Sequence, residues 1–128
     1  PLDYPESKKL KTNKDSRLFI YFNGHGGENF FKIQDTDVLQ SEDLGNVFAE
    51  MWQKSLYKET LMIMDTCQAM SLYDAVNSPN LFLVGSSNRD ESAYSNQFDS
   101  DLNTSLNDKF TFYFYEFLYG KLAQKFTK

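Results

Sequence analysis

Leu18-Phe19-Ile20-Tyr21-Phe22-Asn23, running into Gly24-His25-Gly26-Gly27, is the stretch on which the fold turns. A continuous apolar run that stops at glycines predicts a strand buried on both faces, the habit of parallel sheets. A second run, Leu61-Met62-Ile63-Met64-Asp65-Thr66, ends in Cys67, and a third, Leu81-Phe82-Leu83-Val84, ends in Gly85-Ser86-Ser87. Between the first two, Leu44, Val47, Phe48 and Met51 follow helical spacing behind Ser41, a residue suited to capping a helix. That helix is predicted to run to about Tyr57. A shorter helix is predicted from Ala69 to Val76, stopped by Asn77-Ser78-Pro79. Strand–helix–strand–helix–strand implies an α/β fold with a mainly parallel sheet and right-handed crossovers.

The remaining segments are assigned from their turn chemistry. Residues 1–16 are polar and lysine-rich and read as a linker-like loop. Phe30 to Gln34 and Asp37 to Leu39 flank Asp35-Thr36 as a small hairpin. Asn88 to Asn107 has little periodicity and reads as loop. A last helix is predicted from near Asn107, with Phe110, Tyr113, Phe114, Phe117, Leu118 and Leu122 on one face. A parallel sheet buried on both faces needs more strands than these, so the chain reads as part of a longer protein.

At 128 residues the chain suits one domain, and its 41% hydrophobic fraction can build a core. The net charge of −5 argues against a nucleic-acid surface. No apolar run reaches the roughly 18 residues of a membrane-spanning helix. A single cysteine allows no internal disulfide. Asn103-Thr104-Ser105 fits a glycosylation acceptor. Asp99, Asp101 and Asn103 imitate the start of a calcium loop, but Thr104 and Phe110 stand where that loop needs glycine and glutamate. No set of His, Cys and carboxylates suggests zinc, and Gly-His-Gly-Gly lacks the lysine of a phosphate loop. No metal or cofactor is expected.

The chemistry rests on two residues that occur once each, Cys67 and His25. Each stands just past a strand, and adjacent strands that end together deliver side chains to one crevice. A lone cysteine is more often a small buried hydrophobe, and a lone histidine a surface residue. The glycines beside His25 shift that balance, because they let a substrate backbone approach. A thiol with an imidazole is the minimum for nucleophilic catalysis, with His25 moving the protons. The N–H groups of Gly26 and Cys67 are natural oxyanion donors. Asp65 beside a thiol would raise its pKa, so it suits a pocket wall, or the plain capping of the turn that follows. Ser86, Ser87 and Ser92 border the same crevice, although polar strand ends are ordinary loop chemistry. Asp108 opens the last helix, where an acid is favourable for dipole reasons alone. No residue stands out as an orienter of His25.

These residues resemble a known family. Tyr21 to Gly27 with Phe30 to Asp35, Ala49 to Lys54, Ile63 to Ala69 and Asp108 to Tyr113 are similar to segments of the GPI transamidase catalytic subunits. These are legumain-like cysteine peptidases with a caspase-like fold. The resemblance covers about residues 17–120. It implies a partial caspase-like catalytic domain over 17–128, lacking an N-terminal strand and helix. It further implies His25 and Cys67 as a dyad, Gly26 as an oxyanion donor, and Asp65, Ser92 and Asp108 near the specificity pocket. The implied activity cleaves the C-terminal signal of a proprotein and transfers the acyl group to the ethanolamine amine of a GPI glycolipid. The implied partners are other subunits of a membrane-bound complex, the signal peptide and the glycolipid, on the luminal side of the endoplasmic reticulum. Because the upstream elements are missing, the piece by itself is expected to be inactive. A legumain-type asparaginyl endopeptidase and an inactive caspase-fold scaffold are the alternatives.

Overall fold

The computed structural model describes residues 10–34 and 36–126. Strand β1 (Arg17–Asn23), β5 (Glu59–Asp65) and β6 (Leu81–Gly85) form a parallel sheet in the order β1-β5-β6. Between β1 and β5 lie β2 (Gly26–Gly27), β3 (Phe30–Ile33) and β4 (Asp37–Gln40), a small antiparallel sheet, and then α1 (Ser41–Gln53). A 3-10 helix, Ala69–Tyr73, joins β5 to β6. The hairpin β7 (Ser95–Asp99) and β8 (Thr104–Asp108) leads into α2 (Lys109–Phe126). The predicted parallel α/β order of strands and helices is present.

The core lies on one face of the parallel sheet. Leu44 and Phe48 of α1 and Leu72 and Tyr73 of the 3-10 helix pack with Met62 and Met64 of β5. The Tyr73 hydroxyl donates to the backbone oxygen of Val84, which fastens the 3-10 helix to the sheet. Leu18, Ile20 and Phe22 turn toward this core, and their neighbours on β1 turn away. Burial of β1 on both faces is therefore not what the structure shows. Phe19 is 60% exposed and Phe82 is 61% exposed. The described residues cover one side of β1 and β6, and alternation along a strand sends every second side chain to the other.

Four local expectations need correction. The α1 cap is Gln40, whose backbone N–H donates to the Asp43 side chain. Ser41 is instead buried, and its hydroxyl accepts from the Ala75 N–H across the helix interface. The helix stops at Gln53 rather than near Tyr57, because Ser55 adopts a left-handed conformation (φ 53°) and Tyr57 turns into the core. The segment from Asn88 to Asn107 contains the β7–β8 hairpin, which sequence alternation did not reveal. Its turn is organised by Asp99 Oδ1, which accepts from the N–H groups of Asp101 and Leu102. The predicted aromatic face of α2 is only partly used: Phe110 and Phe114 are half-buried, whereas Tyr113, Phe117, Leu118 and Leu122 are exposed.

Candidate active site

The register of the parallel sheet places the candidate residues. Asn23 pairs with Asp65, so β1 and β5 end level with each other. His25 and Cys67 each follow two residues beyond those ends, and both line one cleft of about 570 Å³. The same cleft takes Tyr21, Asn23, Gly24, Ala93, Ser95, Ser105, Asn107, Asp108 and Thr111 as walls. A neighbouring pocket of about 460 Å³ is lined by Asp65, Ser86, Ser87, Ser92 and Asp108, among others. His25 is exposed and Cys67 half-buried. The Cys67 thiol is not sealed in the core.

The loop that carries Cys67 is pinned by backbone and serine contacts. Ser86 Oγ accepts from the Thr66 N–H at 3.1 Å, and the Ser87 hydroxyl donates to the Thr66 carbonyl at 2.7 Å. Ser87 Oγ also accepts from the Ala69 N–H. Gln68 holds a left-handed conformation (φ 53°), a sharp bend of the kind found where backbone strain serves a site. Its N–H donates to the Glu91 carbonyl. The Ala93 N–H points at the Cys67 sulfur at 3.4 Å. Ser86 and Ser87, ordinary strand-end residues by sequence, thus set the path of the chain into Cys67.

Gly26 meets that loop from the other side. A Cβ at Gly26 would lie 2.6 Å from Thr66 Oγ1 and 2.7 Å from the Phe30 carbonyl oxygen. The backbone approach therefore requires glycine. The Lys32 N–H donates to the His25 carbonyl, so positions 25 and 32 form a hydrogen-bonded pair and the next pair, Gly26 with Phe31, does not. The Gly26 N–H is left outside the ladder. No described group accepts the Cys67 N–H either. Among the described residues no side chain hydrogen-bonds the His25 imidazole.

Beneath the cleft sits a polar network. Asp65 is 1% exposed. Its Oδ2 accepts from Tyr21 OH at 3.0 Å, Thr111 Oγ1 at 2.6 Å and Asn23 Nδ2 at 3.2 Å. Asn23 Nδ2 also reaches Asp108 Oδ2 at 3.3 Å. Asp108 caps α2 by accepting the Thr111 N–H at 2.7 Å. Burial disfavours the Asp65 anion, but contacts with Asp108, Thr111, Ser86 and Tyr21 outweigh it and hold Asp65 below its ordinary value. Burial and then the contact with Asp65 push Asp108 upward. Asp65 Oδ1 is buried, and no N–H or fixed hydroxyl reaches it. The contact between the two carboxyls lowers Asp65 and raises Asp108, so the two shifts run in opposite directions. Burial likewise raises Tyr21, keeping its phenol a donor.

His25, Cys67 and Asp108 thus line one cleft, Gly26 is not among its lining residues but packs against Thr66, the residue before Cys67, and Asp65 and Ser92 share the adjoining pocket with Asp108. Tyr21, Asn23 and Thr111 were missed in the sequence. The signals that could have found them are the register of Asn23 with Asp65 and the spacing of Thr111 three residues after a helix-capping Asp108. No group of three or more His, Cys, Asp or Glu among the described residues is arranged to hold a metal ion. No helix among them is long and apolar enough to cross a membrane.

A mainly parallel sheet that offers a thiol and an imidazole at one rim has the layout of a caspase-like peptidase domain. The sequence model of the peptidase C13 family matches residues 4–125, and the chain belongs to that family, whose caspase-like fold this partial sheet fits. It is 44% identical over 116 residues to the GPI-anchor transamidase of Saccharomyces cerevisiae, covering 91% of this chain and 28% of that protein. It is 43% identical over 125 residues to the GPI-anchor transamidase of Schizosaccharomyces pombe, covering 98% and 33%. The human GPI-anchor transamidase is 42% identical over 118 residues, covering 92% and 30%. The chain therefore spans about a third of the length of the curated relatives it matches.

Proposed function

We propose that this domain is the catalytic part of a GPI-anchor transamidase, acting on the luminal side of the endoplasmic reticulum within a membrane complex. The observation that carries the reading is the single cleft that Cys67 and His25 share at level strand ends, in a chain 42–44% identical to proteins of that name. Cys67 Sγ attacks the carbonyl carbon at the cleavage site of a proprotein. The N–H groups of Gly26 and Cys67 stabilise the oxyanion. His25 gives a proton to the leaving amine of the C-terminal signal peptide. The thioester is then taken by the primary amine of the glycolipid's ethanolamine phosphate. Asp65, Ser92 and Asp108 shape the pocket for the residue that stays with the acyl group.

The test replaces Cys67 by Ala in the full-length subunit and follows a GPI-anchored reporter to the cell surface. Surface display is expected to fall to background. Preserved display would leave only a scaffold role. Loss of display together with cleavage of an asparaginyl peptide by the wild-type subunit in isolation would favour an endopeptidase.

A further inference from the structure

The network beneath the cleft fixes the orientation of one side chain that the reading above leaves without a task. Asn23 Nδ2 lies 3.2 Å from Asp65 Oδ2 and 3.3 Å from Asp108 Oδ2. An amide has a donor end and an acceptor end, and only the NH2 end suits two carboxyl oxygens. The carbonyl end must then face the other way. Asn23 is exposed and lines the cleft beside Gly24, His25 and Cys67. No described group hydrogen-bonds Asn23 Oδ1. A fixed, unused acceptor therefore stands on the wall of the cleft that His25 and Cys67 also line.

We propose that Asn23 is the positioning residue for the attacking amine, its Oδ1 accepting an N–H of a primary amine placed against the Cys67 acyl group. This rests on the transamidase reading and adds to it a subsite for the second substrate. An acceptor cannot stabilise an oxyanion, so the acyl oxygen is not what Asn23 holds. The candidates are N–H donors. The two carboxyls behind Asn23 make its side of the cleft negative, which draws an ammonium group more strongly than a neutral peptide N–H. After giving one proton to bulk water the amine can give one N–H to Asn23 Oδ1 and aim its lone pair at the thioester carbon. The N–C bond forms as the C–S bond breaks, and the electron pair of that bond stays on the Cys67 sulfur. The amine's second proton passes to His25 and from there to the thiolate. Water is the competing nucleophile, and orienting the amine favours the amide over the acid.

The experiment uses the full-length subunit in its membrane complex, a peptide carrying a cleavable C-terminal signal, and ethanolamine as the probe amine. Mass spectrometry gives the ratio of amide to acid product as ethanolamine is varied. Asn23→Ala is expected to lower that ratio at least tenfold and to raise the ethanolamine concentration at half-saturation, whatever happens to the total rate. Asn23→Val, which keeps a strand-forming side chain, is expected to do the same if the alanine variant fails to assemble. Tyr21→Phe removes one donor from Asp65 but leaves Asn23 in place, so its ratio should stay within twofold of wild type. An unchanged ratio in the Asn23 variants, or an equal fall in Tyr21→Phe, overturns the proposal while leaving the transamidase reading intact. Acid as the sole product of the wild type sinks that reading, and the amine subsite with it.

Discussion

At Gly26 a methyl group would meet Thr66 Oγ1 and the Phe30 carbonyl at under 3 Å, and the Phe30 atom belongs to backbone that cannot swing aside. Gly26→Ala must therefore push the turn away from Thr66, the residue that leads into Cys67. Overpacking of this kind costs about 1–3 kcal/mol, and displacement of a group in the site by an ångström can cost about a hundredfold in rate. The full-length Gly26→Ala subunit is expected to lose about two orders of magnitude of activity with only a modest drop in melting temperature. Near-normal turnover would show that the close approach has no catalytic consequence. The carboxyl pair gives a second prediction. Asp108 is pushed up, so the folded state holds its proton to a higher pH than the unfolded state does. That contribution to stability is present below about pH 3.9, the unfolded value, and is lost as pH rises through the raised value. Asp65 has the opposite sign: its contribution is present above the unfolded value and lost as pH falls through the lowered one. Asp108→Asn keeps a residue that can cap α2 and removes the repulsion with Asp65. Its melting temperature relative to wild type is expected to rise between pH 4 and pH 7. A constant difference across that range would show that the two carboxyls do not interact.

The Cys67 loop owes its path to side chains on other elements. Ser87 is buried and serves two backbone groups at once, the Thr66 carbonyl and the Ala69 N–H. Ser87→Ala leaves both without that partner, at a cost of about 1–3 kcal/mol each at most. Circular dichroism melts of the full-length variant are expected to show a lower transition, and alkylation of Cys67 by iodoacetamide is expected to change rate. No effect on either would mean that the serine does not hold the loop. Gly45 offers a control at a distance from the cleft. A Cβ there would sit 2.4 Å from the Ala75 carbonyl, where α1 crosses the end of the 3-10 helix. Gly45→Ala should lower stability by about 1–3 kcal/mol while the surviving folded enzyme keeps its kcat. The α1 boundary shows why element limits escaped the sequence. Ser41 has the chemistry of a cap, but the Ala75 N–H claims its hydroxyl, and a contact between distant segments leaves no trace in local spacing.

Seen as a whole, the molecule carries an apolar sheet face that the described residues leave uncovered, with Phe19, Phe82 and Val84 at its surface. Contiguous exposed apolar area favours association in water. The 128-residue chain is expected to self-associate in sedimentation experiments, and Phe19→Ser with Phe82→Ser to reduce that association. A monomer at all concentrations would argue that the face is covered by the chain itself. What the sequence determined by itself is the set of apolar runs, their order and the glycine-rich turn, because hydrophobic periodicity and turn chemistry are local. These sufficed for a parallel α/β frame and for Cys67 and His25 as residues standing past strand ends. The hairpin from Ser95 to Asp108 was not legible, since its strands gain from pairing with each other rather than from an alternating pattern. The face that β1 buries was not legible either, since an apolar run does not say which neighbours arrive. Only the tertiary structure decided that Asn23 and Asp65 lie level across two strands, that Thr111 reaches back to Asp65, and that the thiol and imidazole open into one cleft. Those facts depend on strand register and on contacts between residues more than forty positions apart, which no local pattern encodes.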